Sequence, residues 1–185
     1  SNFIPNDQRV VTIEDSAELQ LKSVDNIVRL EARQANSQGE NEITIRDLIK
    51  TSLRMRPDRI IVGEVRGAEA LDMVQSLNTG HDGSMSTGHG NSPKDMLARL
   101  ETMVLMGADI PLNAIRSQLA AGIDIMVHLA RMPDKTRKVI EINEIKEFKD
   151  NQIILNKLYC MENGKLKKVG TLKNIFKLQS YGLSV

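Results

Sequence analysis

The sequence lacks several features that would commit a chain to a class at once. It has a single cysteine, Cys160, which excludes an internal disulfide framework and a cysteine-based zinc cluster and favours a reduced compartment. It has no surplus of charge: 25 Lys and Arg face 24 Asp and Glu, a formal net of +1. A dedicated nucleic-acid binder carries a strongly basic footprint, so no specific nucleic-acid partner is expected, although net charge is silent about local patches. It has no long apolar run. The most hydrophobic stretch, Ala120 to Ala130, is interrupted by Asp124 and His128 and fits neither a transmembrane helix nor a signal peptide. Internal repeats and low-complexity tracts are absent as well.

What is present is an ordinary globular composition, 185 residues with 41% apolar and 26% charged, enough for one domain with a sizeable core. The chain opens on Ser1 rather than methionine, within what reads as structure, which is expected of a piece excised from a longer protein.

Three segments share one pattern, a short apolar strand that delivers a polar residue. Arg9 to Ile13 ends at Glu14-Asp15, Asp58 to Val62 ends at Gly63-Glu64, and Ser84 to Thr87 ends near His89. Near-continuous apolar runs of this length suit strands buried on both faces. Helices fill the gaps. Thr44, with Asp47 in the first turn, caps a helix carrying Ile45, Leu48, Ile49 and Leu53 on one face. Ala68 to Asn78 has Leu71, Val74 and Leu77 at helical spacing. Ser92-Pro93-Lys94-Asp95 is a capping serine followed by proline in the first helical position, and Met96, Leu97, Leu100, Met103 and Val104 form its core stripe. Pro111 to Ala121 predicts another helix, leading to a strand around Ile123 to Leu129. Alternating strands and helices predict an α/β layer with a mostly parallel sheet, whose ligands bind beyond the carboxyl ends of the strands. From about Lys138 the texture changes to two alternating segments broken at Asp150-Asn151, then the hairpin turn Asn163-Gly164, a small antiparallel meander. The expected division is residues 1–137 and 138–185.

A glutamate at a strand end, as at Glu14 beside Asp15, can orient and deprotonate a water or complete the outer shell of a metal ion; a pair of solvated acids is the plainer alternative. Glu64 is the stronger candidate, because an apolar strand delivering an acid is how nucleotide-hydrolysing folds hold Mg²⁺. Arg66 either reads a phosphate or pairs with Glu64. His81 and His89 sit in glycine-rich turns, where small neighbours let a ligand approach closely. A metal-dependent hydrolase built on Glu64, His81 and His89 is a third possibility, weakened because no further protein ligand is obvious. His128, on an apolar strand, reads as structural. Of the many arginines, Arg29, Arg33, Arg54 and Arg66 flank candidate motifs, and a guanidinium suits phosphate charge.

In ordered combination these segments resemble the type II/type IV secretion ATPase superfamily, most closely its CpaF-like motors of tight-adherence (Tad) and type IV-like pilus assembly. The resemblance lies in Val11 to Leu19 (an acidic Asp box), Arg54 to Gly67 (a Walker B region), Thr79-Gly80-His81 through Ser92-Pro93 (a His box) and the helix residues Arg99 to Met106. It implies a RecA-like P-loop NTPase core, truncated at its amino end, that uses ATP and Mg²⁺. It also implies a homo-hexameric ring at the cytoplasmic face of the membrane, driving an inner-membrane platform protein. By the same resemblance Glu14 is the general base, and Glu64 holds Mg²⁺ through water. Asp15, Arg66, His81 and His89 sense the phosphate state, while Arg29 and Arg33 reach across a subunit interface. A conjugation-type motor is a variant of this reading, and a non-catalytic assembly module is its rival. One departure stands out: no Gly-x-x-Gly-x-Gly-Lys-[Ser/Thr] loop occurs in the chain, so these 185 residues alone are expected neither to bind ATP tightly nor to hydrolyse it.

Overall fold

Arg9–Glu14 forms β1, and its neighbours bury it from Val10 onward: Val10, Val11 and Ile13 have no exposed surface and Glu14 retains 5%. In the computed structural model, which describes residues 2–183, β1 runs parallel to both β2 (Asn26–Glu31) and β3 (Arg59–Val62). The short β4 (Met85–Ser86) adds to β3, again parallel, giving the sheet order β2-β1-β3-β4. A strand that is apolar on both faces needs cover on both, which is why the run Val10-Val11-Thr12-Ile13 does not alternate. The strand β2 was not among those expected. Its run Ile27-Val28-Arg29-Leu30 is half-buried and interrupted by exposed Arg29, as suits an edge strand.

The helices begin where their caps place them. Thr44 and Asp47 form a capping box: the Asp47 amide donates to Thr44 Oγ1 at 3.1 Å, and the Thr44 amide to Asp47 Oδ2 at 3.1 Å, opening α1 (Ile45–Ser52). These Thr44 hydrogen bonds hold the Asp47 carboxyl below its usual range. The helix α1 ends at Ser52, and Leu53 becomes its C-cap rather than part of the buried face. Helix α2 (Glu69–Leu77) buries Ala70, Leu71, Met73 and Val74. Ser92 accepts from the Asp95 amide at 3.0 Å, and α3 (Pro93–Gly107) follows with Leu97, Leu100, Met103 and Val104 buried. Gly107 has to be small, since a Cβ there would lie 2.9 Å from the Ala68 carbonyl oxygen.

Chain contacts divide the protein into two compact units, Ser1–Gly90 with Ala98–Ile110, and Asn91–Leu97 with Pro111–Val185. The second contains α4 (Leu112–Gly122), a four-stranded sheet and the short α5 (Phe176–Ser180). Its strands β5 (Ile125–Arg131), β6 (Arg137–Lys149), β7 (Gln152–Glu162) and β8 (Lys165–Lys168) pair antiparallel in chain order. Antiparallel pairing thus begins earlier than the change of texture near Lys138, because β5 alternates exposed and half-buried residues like a strand with one open face. Both tight turns carry two residues at positive φ, Asp150 (50°) with Asn151 (59°) and Asn163 (49°) with Gly164 (77°), the backbone that matches the twist of a hairpin. Buried Glu144 fastens the following segment to β6, accepting from the Lys173 amide at 2.9 Å and the Asn174 amide at 2.5 Å, and from Asn156 Nδ2 at 2.7 Å.

The net charge of +1 conceals a division: the first unit has sixteen acids against eleven Lys and Arg, the second fourteen Lys and Arg against eight acids. Among the described residues no helix is long and apolar enough to cross a membrane.

Candidate functional site at the carboxyl edge of the parallel sheet

Parallel strands deliver their last residues to one edge, and here that edge collects Glu14, Glu64 and His89. Glu14 is the last residue of β1. Its Oε1 accepts from the backbone amides of Glu18 and Leu19, each at 2.9 Å, while its Oε2 takes no hydrogen bond among the described residues. One oxygen is therefore anchored and the other is not. Gly63 makes room for this side chain, since a Cβ at that position would lie 3.1 Å from Glu14 Cγ.

Glu64 follows β3 by two residues. Its Oε1 lies 3.4 Å from His89 Nε2, and it keeps 37% of its side-chain surface exposed. The turn carrying His89 is fixed to β3 by two bonds, the Val65 amide to the Thr87 carbonyl at 3.0 Å and Thr87 Oγ1 to the Gly63 carbonyl at 2.5 Å. Thr12, two residues before Glu14 and so on the same face of β1, buries a hydroxyl that has no hydrogen-bond partner among the described residues.

Beside this edge opens a cleft of about 320 Å³. Asp15, Arg33, Arg66 and Glu69 all contribute to its wall. Arg66 Nη2 binds Asp15 Oδ2 at 2.6 Å, so Arg66 pairs with Asp15 rather than with Glu64. Arg33 is tied by its Nε to the Asn41 carbonyl at 2.8 Å. Glu69 was not picked out by its residue type, yet its Oε1 accepts from the Arg66 and Gly67 amides at 2.7 and 2.8 Å and fixes the turn that presents Arg66. The signal available was an acid in the first turn of a helix.

Two expected members stand apart. A site built on Glu64, His81 and His89 requires His81 at the same edge as Glu64, but His81 precedes β4, and a residue before a parallel strand belongs to the opposite, amino edge. There its Nδ1 lies 3.2 Å from the Ser76 carbonyl at the end of α2, and its own carbonyl accepts from Ser84 Oγ. Glu64, His81 and His89 therefore do not converge, and among the described residues no group of three or more His, Cys, Asp or Glu could hold a metal ion. A hydrolase built on that trio loses its geometry. Arg29, on β2, is exposed and reaches the Leu21 carbonyl at 3.5 Å, away from the acid pair.

Comparison with known proteins gives this edge a context. A family model for the type II/IV secretion system protein matches residues 1–171. The chain belongs to that family. The secretion-system chain is 44% identical over 141 residues to a Mycobacterium tuberculosis protein named for conjugal transfer, covering 76% of the chain and 40% of that relative. It is 38% identical over 130 residues to the type IV secretion system protein VirB11 of Brucella suis, covering 68% of the chain and 36% of the relative. The crystal structure of the Brucella suis VirB11 ATPase, in complex with sulphate, matches with a TM-score of 0.66 at 36% identity over 75% of this chain and 40% of that one. The Legionella pneumophila ATPase DotB matches at 0.55 with 21% identity, over 76% and 38%, a likeness of fold alone. The expected α/β, RecA-like architecture is thus present, with the antiparallel sheet as a separate element. The secretion-system chain spans about 40% of the length of these relatives.

Proposed function

We propose that the chain is part of a hexameric motor ATPase that hydrolyses ATP to power protein secretion or pilus assembly at the cytoplasmic face of the membrane. The observation that carries this reading is the meeting of Glu14, Glu64 and His89 at the carboxyl edge of the sheet, with Glu64 Oε1 and His89 Nε2 3.4 Å apart. Glu14, with one oxygen clamped by two amides and the other open, is suited to accept a proton from an attacking water.

Mg²⁺ keeps several waters and takes only one or two carboxylates, with phosphate oxygens supplying further ligands. A single partly exposed Glu64 fits that donor set, and it would hold the ion through water. The ion would supply charge neutralisation on the phosphates. His89, against Glu64, would feel any change in that carboxylate's charge. Arg66, lining the cleft, would face phosphate, Arg29 and Arg33 would reach a neighbouring subunit, and His81 would couple phosphate state to motion from outside this edge.

The phosphate grip is not among these residues, since the chain holds no Gly-x-x-Gly-x-Gly-Lys-[Ser/Thr] loop. On their own the 185 residues turn over no ATP, and the full-length protein does so through a loop supplied elsewhere in its chain. The partner is an inner-membrane platform protein, and the wording of the Asp, Walker B and His segments favours a CpaF-like, Tad-type motor. A second reading, a conjugation-type motor, has in its favour the relative named for conjugal transfer at 44% identity. The test is ATP hydrolysis by the full-length protein and its Glu64→Gln variant. Turnover that is Mg²⁺-dependent and falls at least 100-fold in the variant supports the assignment. Equal turnover in both sinks it.

A further inference from the structure

Three guanidiniums line the cleft beside the acid edge, those of Arg33, Arg46 and Arg66. Arg46, in the first turn of α1, is the one that no motif marks. Its Nε donates to Asp72 Oδ2 at 2.6 Å, and Asp72, on α2, keeps only 8% of its side-chain surface exposed. A carboxylate buried so deeply needs a cation beside it. Lys50, one turn further along α1, already stands 3.7 Å from the other oxygen, Asp72 Oδ1. Neutralising Asp72 and fastening α1 to α2 thus account for only part of Arg46. Its side chain stays 36% exposed, and its terminal Nη groups take no hydrogen bond among the described residues.

Arg33 is held in the same manner, through Nε to the Asn41 carbonyl at 2.8 Å, with its Nη groups likewise unused among the described residues. Two planar forks, each tied down by Nε, therefore line one cleft with their outer N–H groups available, and such forks grip carboxylate or phosphate. A planar carboxylate saturates one fork, whereas a tetrahedral phosphate has oxygens for both. Of the acids in the wall, Asp15 pairs with Arg66 and Glu69 accepts from two amides. Exposed Glu42 has no partner among the described residues and opposes an incoming anion.

We propose that Arg46 is a phosphate-binding residue of this cleft and that buried Asp72 is the residue that positions it. The inference rests on the reading of the neighbouring edge as a site of ATP hydrolysis, whose product is the phosphate. The ligand is either that free phosphate or a phosphate of the nucleotide, and both offer the same oxygens to the forks.

Two calorimetric titrations of the full-length protein test this: Mg-ADP into the empty protein, and inorganic phosphate into the protein saturated with Mg-ADP. Inorganic phosphate should bind the ADP-loaded protein, and Arg46→Lys should weaken it on the order of 10-fold by losing the fork. The lysine still faces Asp72, so the variant should melt close to wild type. A loss of Mg-ADP affinity instead places the nucleotide's own phosphate at Arg46 and supports the same assignment. Unchanged affinity for both ligands overturns it, as does an equal loss in the control Arg137→Lys, on β6. Glu42→Gln, at an exposed position that leaves the Arg46–Asp72 pair intact, should tighten phosphate binding; no tightening counts against this cleft as the site. Asp72→Asn should weaken phosphate binding in the wild-type background and cost little more in Arg46→Lys, because it acts through Arg46. Additive losses would remove the positioning role. ATP turnover that collapses in Glu64→Gln while Arg46→Lys binds both ligands normally sinks this inference and leaves the motor reading standing.

Discussion

Replacing Glu14 by glutamine separates two tasks that the structure gives to one side chain. As a clamp, Glu14 Oε1 holds the amides of Glu18 and Leu19 at 2.9 Å. Hydrogen bonds to a charged acceptor are worth about 1.5–3 kcal/mol each and neutral ones about 0.5–1.5. Glutamine keeps an oxygen for both amides, so the substitution forfeits about 1 kcal/mol per bond, or about 2 in all. For a unit of roughly 100 residues that corresponds to a fall in Tm on the order of 10 °C. As a base, by contrast, glutamine cannot take a proton at all, and the full-length protein should lose on the order of 10²–10⁴-fold in kcat. Calorimetry and steady-state ATPase assays on the same preparation read both quantities. A variant that is less stable by the expected amount yet hydrolyses ATP within about three-fold of wild type would refute the catalytic role and leave Glu14 as a loop anchor.

Gly63→Ala should act on the same carboxylate from outside, because its Cβ would press on Glu14 Cγ at 3.1 Å; we expect reduced kcat with little change in nucleotide affinity, checked by turnover alongside nucleotide titration. Thr12→Val removes a buried hydroxyl that has no partner and should stabilise the chain by about 1 kcal/mol, read as a raised urea midpoint; a lowered midpoint would mean that the hydroxyl is satisfied. Burial pushes the Glu144 carboxyl up, but Asn156 and the amides of Asn174 and Lys173 outweigh it and hold it below the usual glutamate range. A depressed folded value contributes stability that is fully present above the ordinary carboxylate range and is lost as pH falls through the lowered value. Acid melting curves should therefore flatten in Glu144→Gln, and unchanged curves would count against the clasp.

What could be read in the sequence was local. The Thr44–Asp47 capping box, the Ser92-Pro93 start and the Asn163-Gly164 turn are each fixed by residues within four positions of one another, so a linear reading finds them. The strands β1 and β3 were legible because burial on both faces leaves an unbroken apolar run. The strand β2 was not, since its pairing with β1 joins Ile27 to Val10 and Leu30 to Ile13 and leaves no local mark. His81 and His89 occupy similar glycine-rich turns, and residue type alone does not say that one precedes β4 and the other follows it. Strand direction decides that, and with it which histidine meets Glu64. Arg66 posed the same problem, because its partner Asp15 lies on another strand's exit.

The strand β4 has only two residues, but both of its flanks are fastened to β3. Ser84 Oγ accepts from the Ile60 amide at 2.9 Å on one side, and Thr87 Oγ1 donates to the Gly63 carbonyl at 2.5 Å on the other. The span between those hydroxyls is about 10 Å at the rise of an extended chain. So short a rod, pinned at both ends, cannot stretch or buckle. Because both fastenings are to β3, the segment between the two histidine turns is held in register with β3 along its whole length. The two histidine turns, at opposite edges of the sheet, are thereby both positioned by a single neighbour, β3.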